Sequence, residues 1–171
     1  MLLSIEVSLY TPRLAVLDAR DGKASVVFTS CNNRRMEARR MVRNRTPAGI
    51  ILSEIENKVD FALRAYPIEH VVWTTRRLGI ANLDASKMAL GVILLTLHKA
   101  GFSNPEEMTG SRMRLYLTGN SKAVAATVKE SIKSLLPEWN HTLSGFSVPI
   151  AASLAWYLAH SDRQNLLQQP F

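Results

Sequence analysis

A single cysteine, Cys31, stands among 171 residues. That excludes an internal disulfide and any zinc site built from several thiolates, and it fits a reducing compartment. No apolar run approaches the roughly 20 residues that cross a bilayer, and the stretch from Met1 lacks the pattern of a cleavable signal. A cytoplasmic protein without membrane association is expected. Neither G-x-x-x-x-G-K-[ST] nor G-x-G-x-x-G occurs, which counts against a nucleotide hydrolase with a phosphate-cradling loop. The four histidines, His70, His98, His141 and His160, share no metal-ligand spacing. Acid is scarce: 14 Asp and Glu face 21 Lys and Arg, and none lies between Glu138 and Asp162.

The surplus of base gives a net charge of +7 and a pI near 9.9. Polyanions are the favoured partners, nucleic acid first, because neutralised phosphates release condensed counterions. A hydrophobic share of 47% with 20% charged residues describes an ordinary globular chain. Its length suits one domain over residues 1–161, followed by a polar tail over 162–171.

Leu2–Ser8 alternates imperfectly, Ile5 and Val7 on one face, Glu6 and Ser8 on the other. Arg13–Leu17 and Ala24–Thr29 read as further strands, and Asp21-Gly22 between them is a hairpin turn signal. Thr46-Pro47 predicts an N-cap with proline at the first helical position. The helix beyond it lines up Ile50, Ile51, Ile55, Val59, Ala62 and Leu63 and stops before Pro67. His70–Thr75 reads as a central strand and Leu83–Ala100 as a long apolar helix closed by Gly101. Met113–Thr118 alternates as a fifth strand, Ser121 caps a helix through Leu136, and Pro149–His160 forms the last helix. Three strands followed by alternating helix and strand imply an α/β fold. Its sheet is mixed and five-stranded, an antiparallel meander then parallel strands, with helices on both faces. That order is the ribonuclease H-like arrangement.

LTGNSKAVAATVKESIKSLLP (Leu117–Pro137) resembles a segment near the C-terminal end of RuvC-type Holliday junction resolvases. NLDASKMALGVILLTLHKAG (Asn82–Gly101) is similar to their long helix, AASLAWYLAH (Ala151–His160) to their last helix, and LLSIEVS to their first strand. The resemblance implies cutting of phosphodiesters by two divalent metals held on four carboxylates. The chemistry needs them: hard cations take oxygen ligands, and two metals clamp the attacking and leaving oxygens. Carried over one at a time, the first acid falls on Glu6. The second falls on Thr74, and the final pair on Pro149 and Ala152, none of them carboxylates. Glu69 lies five residues before Thr74, at the other end of its strand. A degenerate site follows, with Glu6 a remnant acid and no resident cofactor; Mg²⁺ enters only if cleavage survives.

NRRMEARRMVRNR holds six arginines, Arg34, Arg35, Arg39, Arg40, Arg43 and Arg45, against one glutamate. Like charges spaced i, i+4 repel on a helix, so the cluster makes more sense facing phosphate, where guanidinium forks are bidentate. Arg76 and Arg77 follow the fourth strand at the edge of the expected cleft and would turn its sign positive. Lys122 matches a lysine at the helix start in the resembling segment, and Lys87, Arg112 and Arg114 are weaker candidates. Trp73 and Trp156 read as core, and Trp139 as the one tryptophan suited to base stacking. The expectation is a nucleic-acid-binding protein, DNA before RNA, with branched DNA one candidate, acting as homodimer or accessory subunit. The rivals are a divergent metal-dependent junction endonuclease using Glu6 and a protein-interaction module.

Overall fold

The computed structural model describes residues 1–9, 12–19, 24–31, 47–75, 83–139 and 147–161. The elements are β1 (Leu2–Val7), β2 (Arg13–Asp18), β3 (Ser25–Cys31), α1 (Ala48–Ala65), β4 (His70–Thr75), α2 (Leu83–Lys99), β5 (Glu106–Glu107), α3 (Gly110–Thr118), α4 (Ala125–Leu135) and α5 (Ser147–His160). The strands form one mixed sheet in the order β3-β2-β1-β4-β5. β1–β2 and β2–β3 are antiparallel, while β4 runs parallel to β1 and to β5. The expected meander and mixed sheet are both present.

Alternate side chains of a strand point to opposite faces, so a sheet covered twice must be apolar on both. Leu3, Ile5, Val7, Leu14, Val16 and Val71 pack with α1 and α2 on one side. Leu2, Ala15, Leu17 and Val72 pack with α3, α4 and α5 on the other. Helical periodicity supplies the matching stripes: Ile51, Ile55, Val59 and Ala62 on α1, and Ala89, Ile93 and Leu97 on α2. No helix among the described residues is long and apolar enough to cross a membrane. On α2, Met88 (44% exposed) and Leu95 (54%) stand on the outward side, a spacing of seven residues that keeps them on one face.

Three expectations are corrected. Met113–Thr118 is not a strand but most of helix α3, and the fifth strand is the two-residue Glu106–Glu107. The alternation of Met113, Leu115 and Leu117 hid a 3-4 spacing: Met113, Tyr116 and Leu117 face the core, while Leu115 is exposed. Thr109 caps this helix by accepting from the Arg112 N–H, and Gly119 ends it at φ 72°, a left-handed conformation that glycine adopts without Cβ strain. Ser121 does not cap the next helix, which starts at Ala125 after a turn through Ser121 and Lys122. Pro47 occupies the N-cap of α1 rather than its first turn and makes no side-chain cap bond. Thr46, the Asp21-Gly22 turn and residues 162–171 lie outside the described residues.

The far end of α5 is tied to the β5 edge. Glu106 accepts from Arg112 Nη2 at 2.6 Å and from Trp156 Nε1 at 2.9 Å. The carboxylate, and after it Tyr116, holds the Arg112 guanidinium above its ordinary pKa. Trp156 lies between the His70 and His160 rings, at centroid distances of 4.6 and 4.2 Å.

Leu154, on α5, is buried in the core. Leu154→Ala is expected to lower stability by about 2–5 kcal/mol, against about 0.5 kcal/mol or less for a truncation at exposed Leu95 in a monomeric chain. Urea denaturation midpoints measure the contrast.

Candidate functional site

β1 is the middle strand, and all six of its residues are buried. Its odd positions are apolar and its even positions, Ser4 and Glu6, face the α5 layer with Leu2. A buried hydroxyl or carboxylate must find a partner. Ser4 Oγ donates to the Pro149 carbonyl of α5 at 2.6 Å, with the Ala15 carbonyl at 3.3 Å as an alternative acceptor. Ser153 Oγ, one turn on, also bonds the Pro149 carbonyl, at 3.1 Å. These bonds seat the start of α5 on the central strand.

Glu6 lies opposite Arg13 on β2 and opposite Thr74 on β4. Arg13, Glu6 and Thr74 therefore form a row across three adjacent strands, neighbours about 5 Å apart and on one face of the sheet. Arg13 Nη1 donates to Glu6 Oε2 at 3.0 Å, with the two side chains 20% and 4% exposed. Two polar atoms in this row are buried without a hydrogen-bond partner, Arg13 Nε and Thr74 Oγ1. Pro149 and Ala152 lie one helical turn apart in α5, both buried beneath it. The row and the start of α5 thus share one side of the sheet.

Other candidates fall elsewhere. Arg34, Arg35, Arg39, Arg40, Arg43 and Arg45, and Arg76 and Arg77, lie outside the described residues. Lys122 is exposed in the turn before α4, where its backbone N–H donates to Asn120 Oδ1 at 2.9 Å. Arg112 is engaged by Glu106, and Arg114 Nε donates to the Ser121 carbonyl at 2.8 Å, so both serve the internal structure. Trp139 is packed against the core instead of standing free for a base. Trp73 and Trp156 are half-buried core residues, as expected. Glu69 precedes β4 and pairs with the Met1 amine at 3.1 Å, far along the strand from Thr74. Among the described residues, no three His, Cys, Asp or Glu side chains are grouped to hold a metal ion.

Arg13 is the residue that sequence reasoning missed. The signal was a charge match: β1 contains one acid, Glu6, and β2 one base, Arg13. Aligning the apolar pairs Leu3 with Val16 and Ile5 with Leu14 places the two opposite each other.

No protein-family profile matches the sequence, and no curated protein matches it. Solved structures do match. The fold is similar to Thermus thermophilus RuvC in complex with a Holliday junction substrate, with a TM-score of 0.77 and 16% identity over 92% of this chain and 93% of that one. A second structure of Thermus thermophilus RuvC gives a TM-score of 0.76 and 15% identity over 96% and 95%. The chain has a RuvC-type fold throughout most of its length.

Removing Arg13 takes from the buried Glu6 carboxylate the ion pair on its β2 side. Arg13→Ala is expected to cost about 2–4 kcal/mol, toward the low end for a broken buried pair because a fifth of Arg13 is open to solvent. Adding Glu6→Gln restores part of the loss, since the amide needs no counter-charge. Urea denaturation of wild type, single and double variants measures both steps.

Proposed function

We propose that this chain is a RuvC-like domain that binds nucleic acid, DNA before RNA and branched DNA in particular, without cutting it. The observation that carries the reading is the row on β2, β1 and β4. Cleavage by paired divalent cations needs a cluster of carboxylate oxygens. Here the one carboxylate is held by Arg13, its neighbour is Thr74, and the helix above offers Pro149 and Ala152. That donor set does not fit two magnesium ions: Glu6 meets a guanidinium where a metal would have to sit. The net charge of +7 and a fold shared with a RuvC bound to a Holliday junction substrate support retained grip.

Binding falls to the cations. Arg34, Arg35, Arg39, Arg40, Arg43 and Arg45 precede α1, Arg76 and Arg77 follow β4 close in sequence to Thr74, and Lys122 precedes α4. Guanidinium forks meet phosphate oxygens in pairs, and each phosphate neutralised releases counterions. A second copy of the chain covers the outer face of α2 at Met88 and Leu95, giving a two-fold dimer that suits a four-armed substrate. Such a protein shields or bridges junctions, or serves a larger DNA-handling assembly in the cytoplasm.

Fluorescence anisotropy with duplex, four-way-junction, single-stranded and RNA probes across a salt series tests the reading. Binding is expected to be tightest for the junction and to fall steeply with salt. Arg76→Ala with Arg77→Ala should lower the slope of log K against log salt by about 1–2. Labelled junctions should stay intact in Mg²⁺ or Mn²⁺; cleavage lost in Glu6→Ala would reverse the assignment. Analytical ultracentrifugation should show a dimer that Leu95→Glu converts to a monomer.

A further inference from the structure

We infer that Gly91 is the crossing point of two α2 helices, packed antiparallel about a two-fold axis between two copies of this chain. The inference rests on the dimer read above for the outer face of α2 and gives that face its register. Glycine inside a helix costs about 1 kcal/mol relative to alanine, so one in the middle of a 17-residue helix calls for a reason. The described residues supply none. Gly91 stands on the exposed side of α2, and its backbone is not left-handed. Beyond its own stretch of helix, no heavy atom among the described residues lies within 4 Å of where a Cβ would stand.

Its neighbours on that side are apolar. Met88 and Leu95 are exposed and Val92 is half-buried. With Gly91 they are spaced i, i+3, i+4 and i+7, one stripe along two turns. The stripe lies away from Ala89, Ile93 and Leu97, which face the core. Met88 and Leu95 are bumps, and Gly91 is a gap between them, so the surface can fit a copy of itself. With the axis between Gly91 and Val92, antiparallel copies set Val92 of each into the glycine gap of the other, and Met88 against Leu95. The missing Cβ lets the helix axes approach toward the lower end of the usual 8–10 Å. A parallel pair would set gap on gap and bump on bump. It would also bring together the two C-terminal turns, each carrying His98 and Lys99, and align the helix dipoles unfavourably. Antiparallel pairing keeps those basic turns about 20 Å apart.

The test is sedimentation across a dilution series without nucleic acid, with helicity followed by circular dichroism, on wild type, Gly91→Ala and Gly91→Leu. Both replacements are better helix formers at an exposed position, so the folded chain should be kept. The dimer Kd should rise about three- to tenfold in Gly91→Ala and about a hundredfold in Gly91→Leu, since the gap is filled on both copies. A face that is merely apolar predicts the reverse, because leucine adds apolar area and tightens association. That result, or a wild-type dimer indifferent to both changes, disproves the crossing and leaves the dimer standing. A wild type that stays monomeric at every concentration overturns crossing and dimer together, while nucleic-acid binding is judged separately by anisotropy. Register is read on a Cys31→Ser background. Oxidising a mixture of Met88→Cys and Leu95→Cys chains should give the mixed disulfide dimer, and Met88→Cys alone should give none. Efficient linking of Met88→Cys to itself would mean a parallel pair and overturn the inference.

Discussion

The arrangement turns on one constraint: β1 is enclosed on both faces and flanked by strands on both edges. A charge on such a strand has nowhere to find water, so it must be answered inside the sheet. Glu6 is answered by Arg13 from the next strand, and Ser4 by the backbone of α5. The same enclosure fixes what lies beside Glu6, because strand register leaves Thr74 as its only neighbour on β4 at that level. Fold and site chemistry are consequently set by the same six residues.

How much of this was legible in the sequence differs by element, for physical reasons. β1, β2 and β4 are short apolar runs whose pattern survives burial, and their order led directly to a mixed sheet with a meander. α1 and α2 carry long 3-4 stripes that no strand could display. The segment Met113–Thr118 misled because three apolar residues two apart fit both periods, and only the Thr109 cap and Gly119 decide between them. The long-range seating of α5 on β1 rests on a hydroxyl and a carbonyl 145 residues apart, which no local pattern records.

At the candidate site, the poverty of acids near Thr74, Pro149 and Ala152 could be read directly, since residue identity needs no coordinates. What filled the resulting space could not. Arg13 looked like the first residue of a strand, and its role emerged only from cross-strand register. The expectation placed positive charge at the edge of the cleft in Arg76 and Arg77, which lie outside the described residues, and it overlooked Arg13 of β2, which meets Glu6 directly. Trp139 shows the opposite error: a loop position suggested exposure, but the indole packs on the core. Both cases reflect the same limit, that exposure is a property of the whole fold and not of the local string.

The knot at Glu106 gives α5 a second fixed end. The helix has 14 residues, about 21 Å of stiff rod, bolted to Ser4 near its start and to Glu106 through Trp156 near its finish. A two-residue strand contributes little ladder of its own, so that outer margin of the sheet is held mainly by side chains. Loosening the indole from its carboxylate would therefore leave the far end of the rod to its apolar packing alone, with Ile150, Leu154 and Leu158 still seated in the core.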